Sequence, residues 1–181
     1  MRITGGALKN RIITCPKGVI RPAMDRMRES VFSILGNIQG SSFLDLFSGS
    51  GICALEAASR GAFPIVLVEK DAIKFPTILK NVLISPKRIE CKRMAVELYI
   101  RRNKEAFDII YIDPPFRYKF HSHLLKDISS SSSVKKGSII LLHHSKESVI
   151  DAIEELEKID ERHYGGSIVD FYKKSSESFG I

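Results

Sequence analysis

The sequence predicts an α/β fold: a mostly parallel sheet with helices on both faces and an antiparallel hairpin at its C-terminal end. Three observations carry this. From residue 42 onward, short apolar runs alternate with stretches of helical spacing, the rhythm of strand–helix–strand units. Ile65–Val68 (IVLV) and Ile139–Leu142 (IILL) are apolar throughout, as suits strands buried on both sides. Ile168–Lys173 alternates after Gly165-Gly166, which predicts a closing hairpin and makes the sheet mixed.

The elements follow in order. Arg2–Thr4 and Arg11–Thr14 read as two short strands around Gly5-Gly6, and Arg21-Pro22 ends this arm. Asp25 is an N-cap candidate for a helix with apolar positions Met27, Val31, Ile34, Leu35 and Ile38. Gly36 weakens its last turns and Gly40 is the expected stop. Ser42–Phe47 is a strand, and Leu55–Arg60 belongs to a helix. Pro64–Glu69 is a strand, and Asp71–Leu83 a helix in which Pro76 predicts a kink or a late start. Ile89–Arg93 is a weak strand and Ala95–Asn103 a short helix. Phe107–Ile112 is the strongest strand, stopped by Asp113-Pro114-Pro115-Phe116. Phe120–Ile128 is a helix running into Ser129–Ser133, expected to be a flexible loop. Ser138–Leu142 is a buried strand, and Val149, Ile150, Ile153, Leu156 and Ile159 have helical spacing. The division expected is a basic β arm and helix over 1–40 and a main domain over 41–181.

Composition excludes several classes. At 181 residues with 44% hydrophobic and 27% charged residues, the chain has the make-up of one folded domain. No apolar run approaches the length of a membrane span, and no apolar leader is expected at the N-terminus. Cys15, Cys53 and Cys91 stand 38 residues apart, which offers neither a CxxC nor a zinc set. No metal is expected, and a reduced, cytoplasmic protein is. The net charge of +7 is uneven: residues 1–40 hold seven Lys/Arg against Asp25 and Glu29, or +5. A second cluster runs through Lys87, Arg88, Lys92, Arg93, Arg101, Arg102 and Lys104. Clustered positive charge is the footprint of a nucleic-acid binder, although a solvated surface gives the same count.

Two motifs carry chemistry. In Asp45-Leu46-Phe47-Ser48-Gly49-Ser50-Gly51, the residues Gly49, Gly51 and Ala54 fit G-x-G-x-x-A between a strand and a helix. Glu69, 18 residues after Gly51, ends the next strand, where a carboxylate can bind both hydroxyls of a ribose. This predicts an adenosine-bearing cofactor. NAD and S-adenosylmethionine (SAM) both suit it, and Asp45 favours SAM: a carboxylate there would meet an amine but repel a pyrophosphate. The second motif is Asp113-Pro114-Pro115-Phe116 at the mouth of an apolar strand. The Asp113 side chain and the Pro114 carbonyl can each accept a hydrogen of a planar amino group. Phe116 can stack on the attached base.

With these motifs the chain resembles the bacterial 16S rRNA guanine-N2 methyltransferase family, which is SAM-dependent. The matching pieces are Arg2–Gly6, Asn10-Arg11, Arg21-Pro22, Asp25–Glu29, Phe32, Phe43–Gly51, Leu55–Ala57, Ser59–Ala62, Val68-Glu69 and Asp113–Phe116. The resemblance implies a Rossmann-like, seven-stranded sheet with a small N-terminal β extension. It implies methyl transfer from SAM to N2 of one guanine in small-subunit rRNA, free or in an assembling subunit, with no membrane and no protein partner. It assigns Asp45, Phe47, Gly49, Gly51 and Glu69 to the cofactor, with Met94 packing on the adenine and the Ala95 N–H serving it. Asp113, Pro114 and Phe116 fall to the target amine and base, and Arg2, Lys9, Arg11, Arg21, Arg26 and Arg28 to RNA or to shaping the site. The chain departs from the family pattern at Ala23, at Met94-Ala95 and at His143-His144, where an acid is usual. Neither histidine is given a catalytic role by its position in the sequence. The alternatives are a DNA adenine-N6 methyltransferase, which has no room here for a target-recognition domain, and a catalytically silent ribosome-assembly factor.

Overall fold

The computed structural model describes residues 1–15 and 22–175. The described helices and strands are α1 (Pro22–Leu35), β1 (Phe43–Leu46), α2 (Ile52–Ser59), β2 (Ile65–Val68), α3 (Phe75–Val82), β3 (Ile89–Lys92), α4 (Val96–Arg102), β4 (Phe107–Ile112), α5 (His121–Ser129), β5 (Val134–Ser145), β6 (Leu156–Tyr164) and β7 (Ser167–Lys174). They form a seven-stranded sheet ordered β3-β2-β1-β4-β5-β7-β6. Pairing is parallel from β3 through β5 and antiparallel where β7 meets β5 and β6. The mixed sheet with a closing hairpin is therefore as the sequence predicts.

From β1 the chain steps outward to β2 and β3, then returns to the other side of β1 with β4 and β5. The strand order thus reverses between β1 and β4, and the loops leaving these two strands lie next to each other at the carboxyl edge. That crevice is where open α/β sheets bind ligands.

Two cores form, one on each face. One holds α2 and α3 residues such as Leu55 and Ile78 with Phe43 and Leu67; the other holds Tyr99, Ile100, Leu124 and Ile128 with Leu44 and Ile110. All eight residues of α2 are buried, because a further layer covers its outer side. Ile3, Ile13, Met27, Val31 and Phe32 of the arm and α1 belong to the same core cluster as Leu55. The arm itself is a minimal hairpin, bridged antiparallel at Arg2 and Ile12.

Several expectations need correction. Helix α1 begins at Pro22, so Asp25 lies in its first turn and not at the cap. Proline at the start of a helix loses nothing by lacking an N–H. The helix stops at Leu35, earlier than Gly40, because Gly36 takes a left-handed φ of 68°. Ile38, beyond the helix, is buried all the same. Pro76 gives the late start expected, with α3 beginning at Phe75.

The helical spacing from Val149 to Ile159 yields no helix. Residues 146–155 are a connection and Leu156 opens β6. Strand β7 needs a partner for its outer N–H and C=O groups, and β6 supplies one from Leu156↔Lys174 to Tyr164↔Ser167. Leu156 is buried in the pairing while Val149 stays exposed. The five serines form a bonded turn: Ser133 is buried and accepts from Asn103 Nδ2 at 2.9 Å, and Ser131 Oγ donates to the Ile128 carbonyl at 2.8 Å. No described helix is long and apolar enough to cross a membrane.

Candidate active site

Three residues of the loop after β1 adopt left-handed backbone: Phe47 (φ 60°), Gly49 (φ 61°) and Gly51 (φ 81°). The glycines accept this conformation without a Cβ penalty, and Gly51 caps the N-terminus of α2. The loop is tied to its neighbours. The Ser48 N–H donates to the Val68 carbonyl at 3.1 Å, and the Gly49 N–H donates to Glu69 Oε2 at 2.9 Å. The other oxygen of Glu69 accepts the Asp71 N–H at 2.9 Å. Glu69 is thus held at the carboxyl end of β2 by two backbone donors.

Asp45 is 1% exposed. Its Oδ2 accepts from Ser48 Oγ at 2.7 Å and from the Ala54 N–H at 3.1 Å. Burial pushes its carboxyl up to about 7; the two hydrogen bonds oppose the shift, and the charges of Asp113 and Glu69 add to it. Burial also raises the Tyr111 hydroxyl well above the usual tyrosine range, and that buried oxygen has no hydrogen-bond partner among the described residues.

The Asp113 N–H donates to the Leu46 carbonyl at 3.2 Å, which pins the end of β4 to the end of β1. Asp113 is partly exposed and Oδ1 lies 2.7 Å from His143 Nδ1. Phe116 is half exposed and meets the His143 ring edge-on at 5.9 Å. Tyr118, just beyond the corner, packs edge-on against Phe47 at 5.3 Å and so joins the two motifs.

Asp45, Phe47, Gly49, Glu69, Asp113, Pro114 and Phe116 line one cavity of about 490 Å³, a volume in the range of small-molecule sites. Tyr111, His143, Arg28 and the arm residues Met1 and Cys15 line it too. A second cavity of about 830 Å³ adjoins it, with Arg26, Tyr164 and Gly165 in its wall and Phe116 and His143 shared between the two.

The family whose description is "Conserved hypothetical protein 95" matches residues 1–173. Over 153 residues the chain is 31% identical to ribosomal RNA small subunit methyltransferase D of Buchnera aphidicola from Acyrthosiphon pisum, covering 82% of this chain and 80% of that protein. The chain belongs to the ribosomal RNA small subunit methyltransferase D family. It is also 29% identical to YlbH of Bacillus subtilis, over 96% of this chain and 99% of that protein. Among solved structures, the Escherichia coli protein yhhF has the same fold, with a TM-score of 0.89 at 22% identity over 98% of this chain and 99% of that one. A hypothetical protein of Thermus thermophilus matches with a TM-score of 0.79 at 28% identity, over 94% of this chain and 98% of that one. The resemblance read from the sequence is borne out.

Not every residue that the resemblance assigns falls at this site. Met94 and Ala95 do not line the main cavity. Met94 lines a separate cavity of about 280 Å³ beside Tyr99 and Arg102 and packs on the second core, and Ala95 caps α4. Arg28, assigned to RNA or to shaping the site, lines the main cavity; it is 2% exposed, pairs with Asp25 at 2.9 Å and Glu56 at 3.3 Å, and donates to the Arg2 carbonyl, so it braces α1 against α2. Arg2, Lys9, Arg11 and Arg26 are exposed; Arg21 lies outside the described residues.

Sequence reasoning missed His143 as a site residue, and Asn81 with it. Asn81 Nδ2 donates to the carbonyls of Thr14 and Ser50, at 2.8 and 2.9 Å, tying the arm to the glycine loop. The only local signal for His143 is a polar residue ending an apolar strand. Its meaning depends on which strand lies next to it.

Proposed function

We propose that the protein transfers a methyl group from SAM to the exocyclic N2 of one guanine in small-subunit (16S) ribosomal RNA. The observation that carries this reading is that the glycine loop, Glu69 and the Asp113–Phe116 corner open onto one cavity. Support for the RNA comes from the relatives named ribosomal RNA small subunit methyltransferase D.

The residues present suit SAM. Glu69 presents a carboxylate already fixed by two backbone N–H donors, as binding of ribose hydroxyls requires. Asp45 offers a buried carboxylate for an amine. A Cβ on Gly49 would meet only the Phe47 carbonyl, at 3.9 Å, so the loop backbone is open to close approach. Tyr111 brings a buried hydroxyl, unpartnered among the described residues, to the same wall.

When bound, the cofactor supplies an electrophilic methyl on a positively charged sulfur. The protein's part is to prepare the nitrogen. Asp113 and the Pro114 carbonyl accept the hydrogens of the amine, which favours a pyramidal nitrogen whose lone pair is free of ring conjugation. Asp113 Oδ1 is engaged by His143, so Oδ2 serves the amine and takes the proton that the methylated nitrogen sheds. Phe116 stacks on the base. A base extracted from its stack costs a few kcal/mol, and this stacking offsets part of that cost.

The test is nucleoside analysis of 16S rRNA and of assembled small subunits after incubation with isotopically labelled SAM. The expected product is N2-methylguanosine. Label on another nucleoside overturns the guanine-N2 assignment, and no label on either substrate overturns the methyltransferase reading.

A further inference from the structure

The open end of the arm hairpin lies at the main cavity. The Ile13 N–H donates to the Met1 carbonyl at 3.0 Å, and Met1 and Cys15 line the cavity together with Ser48, Gly49 and Ser50. Ser50, the middle residue of Gly49-Ser50-Gly51, is fastened from two sides. Its Oγ donates to Met1 Sδ at 3.4 Å, and its carbonyl accepts from Asn81 Nδ2 at 2.9 Å. Asn81, on α3, is 5% exposed. Its Nδ2 also donates to the Thr14 carbonyl at 2.8 Å, and its Oδ1 accepts the Thr14 N–H at 3.1 Å. One buried amide, with both donor hydrogens used, thus joins the second strand of the arm to the glycine loop.

Packing alone does not call for an amide here. Ile78 already anchors α3 in the core, and a leucine of similar size would fill the place of Asn81 without the desolvation that a buried amide costs. What the amide adds is a fixed spacing between arm and loop. We propose that the arm forms one wall of the SAM pocket, and that Asn81 is the positioning residue that holds this wall against the glycine loop. This rests on the reading of the main cavity as the SAM site. The arm, which the resemblance assigns to RNA, thereby gains a second role at its opposite end.

The first measurement needs no variant. Cys15 is partly exposed and lines the cavity, whereas Cys91, also partly exposed, lies on β3 and is not part of that wall. Wild-type protein is alkylated with iodoacetamide with and without SAM, and each cysteine is followed by peptide mass spectrometry and compared with itself. With SAM at about ten times its Kd, Cys15 should react about tenfold more slowly, because mass action leaves about a tenth of the sites empty. Cys91 should react at an unchanged rate.

The second measurement is calorimetric SAM titration of Asn81→Leu and Asn81→Asp, with urea denaturation to establish that each folds. Leucine removes all three hydrogen bonds. Aspartate keeps an acceptor for the Thr14 N–H but sets a carboxylate oxygen against two carbonyls. Affinity for SAM should fall about tenfold in each, the upper end of what one hydrogen bond contributes. A merely structural asparagine would lower the urea midpoint and leave the SAM affinity of the folded protein unchanged. If one variant does not fold, the other carries the measurement.

Equal alkylation of Cys15 with and without SAM overturns the proposal, and so does equal slowing of Cys15 and Cys91, which would mean that SAM stiffens the whole protein. An affinity within about twofold of wild type in a folded variant removes Asn81 from the role. Absence of SAM binding by wild type is a different failure, that of the cofactor reading itself.

Discussion

Asp45 is the residue at which burial and binding meet. Its carboxyl is lifted to about 7, first by desolvation, so the folded protein holds a proton that the unfolded chain loses near pH 4. The folded state binds more protons across that interval, so this group makes stability fall as pH rises from about 4 to about 7. A cationic amine favours the charged form. Affinity for SAM should therefore rise between pH 5.5 and 7.5, by up to about tenfold per unit below the carboxyl's pKa, and Asp45→Asn should flatten the profile. Calorimetric titration across that range measures it; a flat wild-type profile would take Asp45 away from the amine. Asp45, Glu69 and Asp113 are legible in the sequence because each ends a strand beside a turn motif, and strand ends at a switch point fix their place. The contact of His143 with Asp113 is not legible, because it comes from the register between β4 and β5. The bracing contacts of Arg28 are hidden for a similar reason: its partner Glu56 lies on another helix.

At the scale of elements, the join between the arm, α1 and α2 is made of charge inside the protein. Glu56 is fully buried; its Oε1 accepts from Thr4 Oγ1 at 2.7 Å and Arg60 Nε at 2.9 Å, and its Oε2 from the Thr4 N–H at 2.8 Å and Arg28 Nε at 3.3 Å. Such a cluster is a weak source of net stability while intact, but costly to break from one side. Glu56→Ala would strand Arg28 in the interior and should destabilise the fold by about 3–5 kcal/mol. Urea denaturation of the variant checks this, with Lys92→Ala as a control, since Lys92 pairs with Glu90 at the partly exposed sheet edge. A loss below about 1 kcal/mol, the value of a surface pair, would show that the network is dispensable. Elements legible in the sequence are those whose pattern agrees with their neighbours, such as β2, β4 and the Gly165-Gly166 hairpin. The segment 149–159 misleads because its spacing suits a helix, while the open edge of β7 asks for a strand.

For the whole molecule the question is where RNA lies, and the structure redistributes the charge the sequence counts. Of the basic residues of the arm and α1, Arg28 is internal, while Arg2, Lys9, Arg11 and Arg26 are exposed. Among the described residues no carboxylate pairs with Lys9 or Arg11. The tip of the arm hairpin docks at the C-terminal end of α2, where the Ala7 N–H donates to the Ser59 carbonyl at 2.7 Å, whereas the cavity opens at that helix's other end, at Ile52. Lys9 therefore lies about a helix length from the chemistry, and Arg26 lies in the wall of the adjoining cavity. On the proposed function, a guanine flipped toward Asp113 would put its flanking phosphates near Arg26 and more distant ones near the arm tip. Arg26→Ala should thus weaken RNA binding more than Lys9→Ala with Arg11→Ala, and neither should alter SAM affinity. Each lost phosphate contact should flatten the slope of log affinity against log salt by roughly 0.7–0.9, according to strandedness. A salt series of RNA binding for wild type and both variants, with SAM titration alongside, separates the contributions. If affinity and slope are unchanged in both, the RNA does not cross this face. The exposed Lys87, Arg88, Arg93, Arg101, Arg102 and Lys104 around β3 and α4 would then be the surface that holds it.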